Sequence, residues 1–162
     1  MEITLIASMN RPQVIGADGD IPWHLPEDLK HFADTVKDRI IICGRKTFDT
    51  LPRKYHNKFT IVITSWPNIP NCTLASSMFD AIRKAKQLAV DENKSSEFFV
   101  VGGGQVYQDA IGMADKLILT YVFNDLMGDT FFPEIPYSRY SVYNTKTFNW
   151  GKIIWWKKRA GM

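Results

Sequence analysis

The sequence predicts an α/β fold: a mostly parallel central sheet with an antiparallel C-terminal strand and flanking helices. Three observations predict it. Short, wholly apolar runs such as Ile40 to Cys43 recur, as expected of strands buried on both faces. Segments with apolar residues at helical spacing separate them, the alternation of an α/β sheet. The C-terminal stretch breaks the alternation, because Tyr140 to Thr147 and Lys152 to Lys157 flank Asn149-Trp150-Gly151, a hairpin signal.

In chain order, Ile3 to Ala7 reads as the first strand, and Arg11 to Pro22 as a loop broken by Pro12, Gly16, Asp18-Gly19 and Pro22. Leu29, Phe32, Ala33 and Val36 form one apolar stripe on a helix that starts near Pro26, where a missing N–H is harmless. Ile40 to Cys43 is a strand and Arg45 to Leu51 a short helix. Phe59 to Thr64 is a β-rich run, followed by a turn at Pro67 and Pro70. Ser77 and Asp80 resemble a capping box, opening a helix whose stripe is Phe79, Ile82, Ala85 and Ala89. Phe98 to Val101 is a strand running into Gly102-Gly103-Gly104, and Val106, Tyr107, Ala110, Ile111 and Ala114 give the next helical stripe. Leu117 to Val122 is the last strand before the hairpin.

The bulk properties narrow the function. A chain of 162 residues suits one domain, here residues 1–162, with room for a cleft in its core. Hydrophobic residues at 45% and charged residues at 23% exclude a disordered or collagen-like chain. A net charge of +3 without a clustered basic face argues against nucleic acid but suits a small anionic ligand. The run Lys157-Lys158-Arg159 reads as a solvated end. Two cysteines, Cys43 and Cys72, make no disulfide framework. With no leader-like start and no apolar segment near the roughly 18 residues that span a bilayer, the expectation is a cytoplasmic, membrane-independent monomer. The three histidines lack metal-ligand spacing and no nucleophile elbow is present, so no metal is expected.

Three segments could carry chemistry. In Ile21-Pro22-Trp23-His24-Leu25-Pro26-Glu27-Asp28 a loop meets a helix start with an acid on its first turn. Asp28 has two readings. It is either an acid favoured there by the helix dipole, or a buried carboxylate offering two parallel acceptors to a planar, amidine-like ring. Burial would raise its pKa, and the dipole would partly oppose that. Phe32, four residues on, shares its face, and Trp23 is either core or the holder of an ordered water. In Cys43-Gly44-Arg45-Lys46-Thr47 a strand ends in a glycine and a helix opens with two cations and a hydroxyl, which is a phosphate-binding pattern or a solvated basic turn. In Val101 to Tyr107 three glycines follow a strand, as a tight turn or as backbone exposed to a pyrophosphate. Two such strand ends in one sheet favour a dinucleotide bound beyond the strand C-termini.

Taken together these segments resemble the dihydrofolate reductase family from end to end. The matches are Leu5-Ile6-Ala7, Val14-Ile15-Gly16, Pro22-Trp23-x-Leu25-Pro26-x-Asp28-Leu29-x-x-Phe32, Gly44-Arg45-Lys46-Thr47-Phe48, Val101-Gly102-Gly103-Gly104-x-Val106-Tyr107, Leu119-Thr120, and Gly128-Asp129-Thr130-Phe131-Phe132-Pro133. The resemblance implies an NADPH-dependent reduction of 7,8-dihydrofolate to 5,6,7,8-tetrahydrofolate, by hydride transfer to C6 and protonation at N5. It implies that Asp28 grips the pterin's 2-amino group and ring N–H, with Thr120 on the same network and Trp23 holding its water. Ile6, Ala7 and Phe32 would line the pterin slot, Leu29, Thr50 and Leu51 the path of the substrate's aminobenzoyl part. Ala7, Ile15 and Gly16 to Ile21 would border the nicotinamide with Tyr107. Gly44, Arg45, Lys46, Thr47, Thr64 and Ser65 would hold the adenosine end, and Val101, Gly102, Gly103, Gly104, Gln105 and Val106 the pyrophosphate turn, with a cis peptide between its first two glycines. Antifolates are implied as inhibitors.

Three departures from the family pattern stand out. Lys58, with Arg53 nearby, occupies the place of an arginine that clamps the substrate's tail carboxylate, and lysine cannot make the bidentate fork. Gln105 stands where some relatives carry a cation, which leaves Arg45 and Lys46 to favour NADPH. Ile21 replaces a methionine of the mobile loop. Two other readings compete: a pyrimidine reductase of riboflavin synthesis, against which Trp23, Pro26 and Asp28 argue, and a non-catalytic protein reusing the fold.

Overall fold

The computed structural model describes residues 1–10, 12–16 and 24–161. Its strands are β1 (Glu2–Met9), β2 (Val14–Gly16), β3 (Ile40–Gly44), β4 (Thr60–Ile63), β5 (Thr73–Ala75), β6 (Glu97–Val100), β7 (Lys116–Val122), β8 (Thr130–Phe131), β9 (Tyr140–Phe148) and β10 (Gly151–Lys158). The helices are α1 (Pro26–Val36), α2 (Arg45–Thr50), α3 (Met78–Asp91) and α4 (Gly104–Ala110), with single 3-10 turns at Arg53–Tyr55, Ile111–Met113 and Tyr137–Arg139.

Eight strands form one sheet in the order β5-β4-β3-β6-β1-β7-β10-β9. The first six in that order are parallel, and β10 and β9 complete the edge as the predicted antiparallel hairpin. The central strands are largely apolar because both faces are covered. On one face α3 and α4 bring Ala81, Ala85, Val106 and Ala110 against Ile3, Leu5, Ile42 and Phe98. On the other, α1 brings Val36 and Phe32 against Ile6, Ile41, Ile118 and Ile153, and α2 brings Phe48 against Cys43 and Val62. Side chains such as Leu5 and Phe98, at 0% exposure, contribute roughly 1.5–3 kcal/mol each by burial.

The small elements β5, β2 and β8 were not expected; β2 and β8 pair as a separate ribbon. Two helical stripes also differ from expectation. On α3 the buried positions are Met78, Ala81, Ala85 and Ala89, and Phe79 is 80% exposed. The small alanines let the helix lie close on the sheet, and that phase turns Phe79 outward. On α1 only Val36 is buried among the described side chains, and Leu29 is 59% exposed because it borders a cleft rather than core. The Ser77 hydroxyl caps α3 by accepting from the Asp80 amide at 3.0 Å, but the Asp80 carboxylate reaches back to the Ser76 amide, one residue earlier than a capping box requires.

Candidate active site

The register of β1 against β7 sets the floor of the site. Ser8 lies opposite Thr120 and Ile6 opposite Ile118, so alternate residues of both strands face α1. Apolar pairs fill the interior of that face, and at the C-terminal ends of the strands it turns polar, at Ser8 and Thr120. Pro26 opens α1 directly above, and Asp28 falls on its first turn. The Thr120 hydroxyl donates to Asp28 Oδ1 at 2.6 Å, and Ser8 is a second hydrogen-bond partner of the carboxylate. Burial raises the Asp28 carboxyl above its usual range; the Thr120 bond, the nearby His31 and Ser8 pull in the opposite direction. Asp28 is half-buried on α1, and its carboxylate, held by Thr120 and Ser8, lines the cleft rather than standing free at the helix start.

Asp28 and Thr120 line a cavity of about 500 Å³. Ile6, Ala7, Leu29 and Phe32 give it apolar walls, with Thr50 and Leu51 toward α2. The Phe32 ring is held edge-on by Tyr55 at 5.8 Å. A flat heterocycle with one polar edge suits this combination of an acid at the floor and apolar sides.

A second cavity, about 230 Å³, shares Ser8, Thr47, Thr50, Val101 and Tyr107 with the first. Ile15, Gly16, Lys46, Thr130 and the three glycines complete it. The Gly44 amide donates to the Gly102 carbonyl at 2.8 Å, tying the two glycine-ended strands β3 and β6 together. The Gly102–Gly103 peptide is cis, and Gly102 has φ +122°, which favours glycine. A Cβ on Gly104 would come 2.9 Å from Thr130 Cγ2. The glycines therefore leave bare backbone on the wall of the cavity, room that an extended dinucleotide needs. Tyr107 stands between the cavities, its hydroxyl donating to the Ile6 carbonyl at 2.7 Å, and burial pushes its phenol well up.

The remaining expected residues fall into groups. Arg45 lies 4.0 Å over the Trp66 ring, and the Trp66 amide donates to Thr64 Oγ1 at 3.1 Å; these groups and the exposed Ser65 beside them in the chain line neither cavity. Gly44 and Val106 pack behind the glycine wall, Val106 in the core. Gln105 turns along α4 to Asp109 at 2.9 Å, away from the cavity. Lys58 lies in the turn before β4, where its ammonium pairs with Glu92 just beyond α3 and its side chain lines neither cavity. Ile21 and Trp23 lie outside the described residues. The sequence reading did not single out Ser8, His24, His31 or Thr130. Ser8 was within reach, two residues after Ile6 on one strand face, and His31 likewise, three residues after Asp28 on one helix face.

A larger hollow of about 700 Å³ opens elsewhere, among Asn10, Tyr121, Phe123, Tyr137 and Lys152. It holds no buried acid and no glycine wall, so the chemistry belongs to the adjoining pair of smaller cavities.

Comparison with known proteins agrees with this geometry. A family model described as dihydrofolate reductase matches residues 2–152. A dihydrofolate reductase of Bacillus subtilis is 36% identical over 146 residues, 89% of this chain and 83% of that protein. A dihydrofolate reductase type 3 of Salmonella typhimurium is 36% identical over 136 residues, 83% of this chain and 80% of its own. A solved structure of the Enterococcus faecalis dihydrofolate reductase, complexed with NADP(H) and an RAB-propyl compound, superposes with a TM-score of 0.79 at 27% identity and covers 98% of this chain and 96% of that one.

Proposed function

Since this chain belongs to the dihydrofolate reductase family, we propose that its paired cavities reduce 7,8-dihydrofolate to 5,6,7,8-tetrahydrofolate with NADPH. The observation that carries the assignment of residues is the Asp28 carboxylate, half-buried on the first turn of α1 and held by Thr120 at 2.6 Å on the floor of an apolar cleft.

NADPH supplies the hydride that C6 of the pterin receives. Asp28 does two things for the substrate. As a carboxylate it accepts from the pterin's 2-amino group and adjacent ring N–H, the only side-chain geometry that matches two parallel donors. Its raised proton affinity also lets it assist the protonation of N5. Thr120 and Ser8 fix the plane of the carboxylate, Ile6, Ala7 and Phe32 hold the ring flat, and Leu29, Thr50 and Leu51 exclude water along the aminobenzoyl part. Trp23 is assigned the water on this network. Lys46, Thr47 and the backbone of Gly102 to Gly104, with Ile15, Gly16 and Tyr107, would hold the cofactor's nicotinamide and pyrophosphate. Arg45, Thr64 and Ser65 would take its adenosine end. With Lys58 engaged by Glu92, the substrate's tail carboxylate is left to Arg53, an exposed cation on the turn after α2. In this reading the protein is a single-domain cytoplasmic monomer. Its reduced thiols, Cys43 buried and Cys72 half-buried, suit such a compartment, and antifolates would compete for the Asp28 cleft.

The test is the loss of nicotinamide absorbance when the protein is mixed with NADPH and dihydrofolate. Turnover is expected, with Asp28→Asn reduced by about 10²–10⁴-fold, the usual share of a general acid. Equal rates for Asp28→Asn and the parent would defeat the assignment.

A further inference from the structure

We propose that His31 is a positioning residue for the reduction, forming with Asp28 a coupled pair in the cleft wall that shares one proton, so that the charge on its ring governs the charge on the carboxylate. The inference rests on the reading of Asp28 just given.

Placement comes first. His31 follows Asp28 by three residues on α1, so both side chains leave the same helix face, and both line the 500 Å³ cavity. The ring is held edge-on against Trp155 of β10, with centroids 5.5 Å apart. Its Nε2 is buried and finds no hydrogen-bond partner among the described residues.

The hydrogen bonds at the other nitrogen assign the tautomer. The single hydroxyl proton of Thr35 goes to the His31 carbonyl at 2.7 Å. That leaves Thr35 Oγ1 with only lone pairs to offer His31 Nδ1, 3.4 Å away. Nδ1 is therefore the donor, and in the neutral ring Nε2 carries the bare lone pair. A buried base without a donor is the unsatisfied half of the arrangement, and a proton at Nε2 turns the ring into a cation beside the carboxylate.

The surrounding charges make the two groups depend on each other. Burial lowers the proton affinity of His31, and Asp28 raises it; Lys146 of β9 lowers it and Asp34 of α1 raises it. The contact from β10 is the uncharged Trp155. His24 is the other histidine of the cavity. Burial raises the proton affinity of Asp28, and His31 lowers it. Burial thus drives the carboxyl up and the imidazole down, toward each other, and over the pH range in which they titrate their mutual attraction links the two. As pH falls through that range the cleft passes from one negative charge to none, with the proton on either partner.

Linkage makes the test symmetrical, because a coupling free energy acts equally in both directions. In the ligand-free protein, the Asp28 carboxyl carbon and the His31 ring are titrated by NMR in the parent, in Asp28→Asn and in His31→Gln. The expected result is that His31→Gln moves the Asp28 midpoint to higher pH. Asp28→Asn should move the His31 midpoint to lower pH by the same number of pH units. The pH profile of kcat/KM for dihydrofolate should shift upward in His31→Gln together with the carboxyl midpoint, a displacement that a purely structural histidine would not cause. Midpoints that ignore the partner's substitution would overturn the pairing while leaving the reductase reading intact. Conversely, undiminished turnover by Asp28→Asn would overturn the reductase reading, whatever the two midpoints do.

Discussion

Thr120→Val isolates the hydrogen bond that holds the acid. The substitution keeps the shape of a side chain that is only 2% exposed and removes the hydroxyl that donates to Asp28 Oδ1 at 2.6 Å. A hydrogen bond to a charged group is worth about 1.5–3 kcal/mol, and one to a neutral group about 0.5–1.5 kcal/mol. The folded-state pKa of Asp28 already lies above the unfolded value, so its ionisation opposes folding. That opposition is fully present above the folded pKa and vanishes below the unfolded one. Losing Thr120 raises the folded pKa further, because the lost bond favours the ionised carboxyl over the neutral one. The variant should therefore be destabilised more at pH 8 than at low pH, by about 2 kcal/mol against the ionised carboxyl and about 1 kcal/mol against the neutral one. For a domain of this size those costs correspond to melting deficits of roughly 4–8 °C and 2–4 °C. Calorimetry at the two pH values measures both. Equal deficits would refute the reasoning, because they would mean that Thr120 does not distinguish the ionised carboxyl from the neutral one.

Other perturbations follow from the same geometry. Gly128→Ala would place a Cβ 2.4 Å from the Gly16 carbonyl oxygen and from Val14 Cγ1; it should cost about 1–3 kcal/mol in denaturant unfolding, and unaltered stability would speak against the close β2–β8 approach. Tyr107→Phe should cost about 1 kcal/mol, since it strands the Ile6 carbonyl; chemical denaturation reads it directly. Lys58→Arg should leave the Michaelis constant for dihydrofolate unchanged, whereas Arg53→Ala should raise it; a response at Lys58 alone would return the tail carboxylate to that residue.

The fold was largely legible because strands buried on both faces leave uninterrupted apolar runs and α/β helices leave one-sided stripes. Elements of two or three residues, such as β5 and β8, are too short to show a period. The phase of α3 was misread because Phe79 weighs heavily in any hydrophobic pattern, while close packing selected the alanines. In the site, motif spacing located Asp28 and the glycine turn. It could not show which way a long side chain points, and Lys58 and Gln105 were lost to partners on their own surfaces, Glu92 and Asp109. His31 escaped notice because its significance comes from Trp155 and Thr35, a contact across the fold and a single hydroxyl proton.

The hold on the acid also says something about order in time. Asp28 is fastened by Thr120, 92 residues later in the chain, and its neighbour Glu27 accepts from the Trp150 indole, 123 residues later. Contacts of such long range form late, since they must first meet the entropy of closing large loops. A chain emerging from the ribosome would carry its acid from the outset but could not secure it until β7 had been made and had docked. Competence should consequently wait on those late contacts.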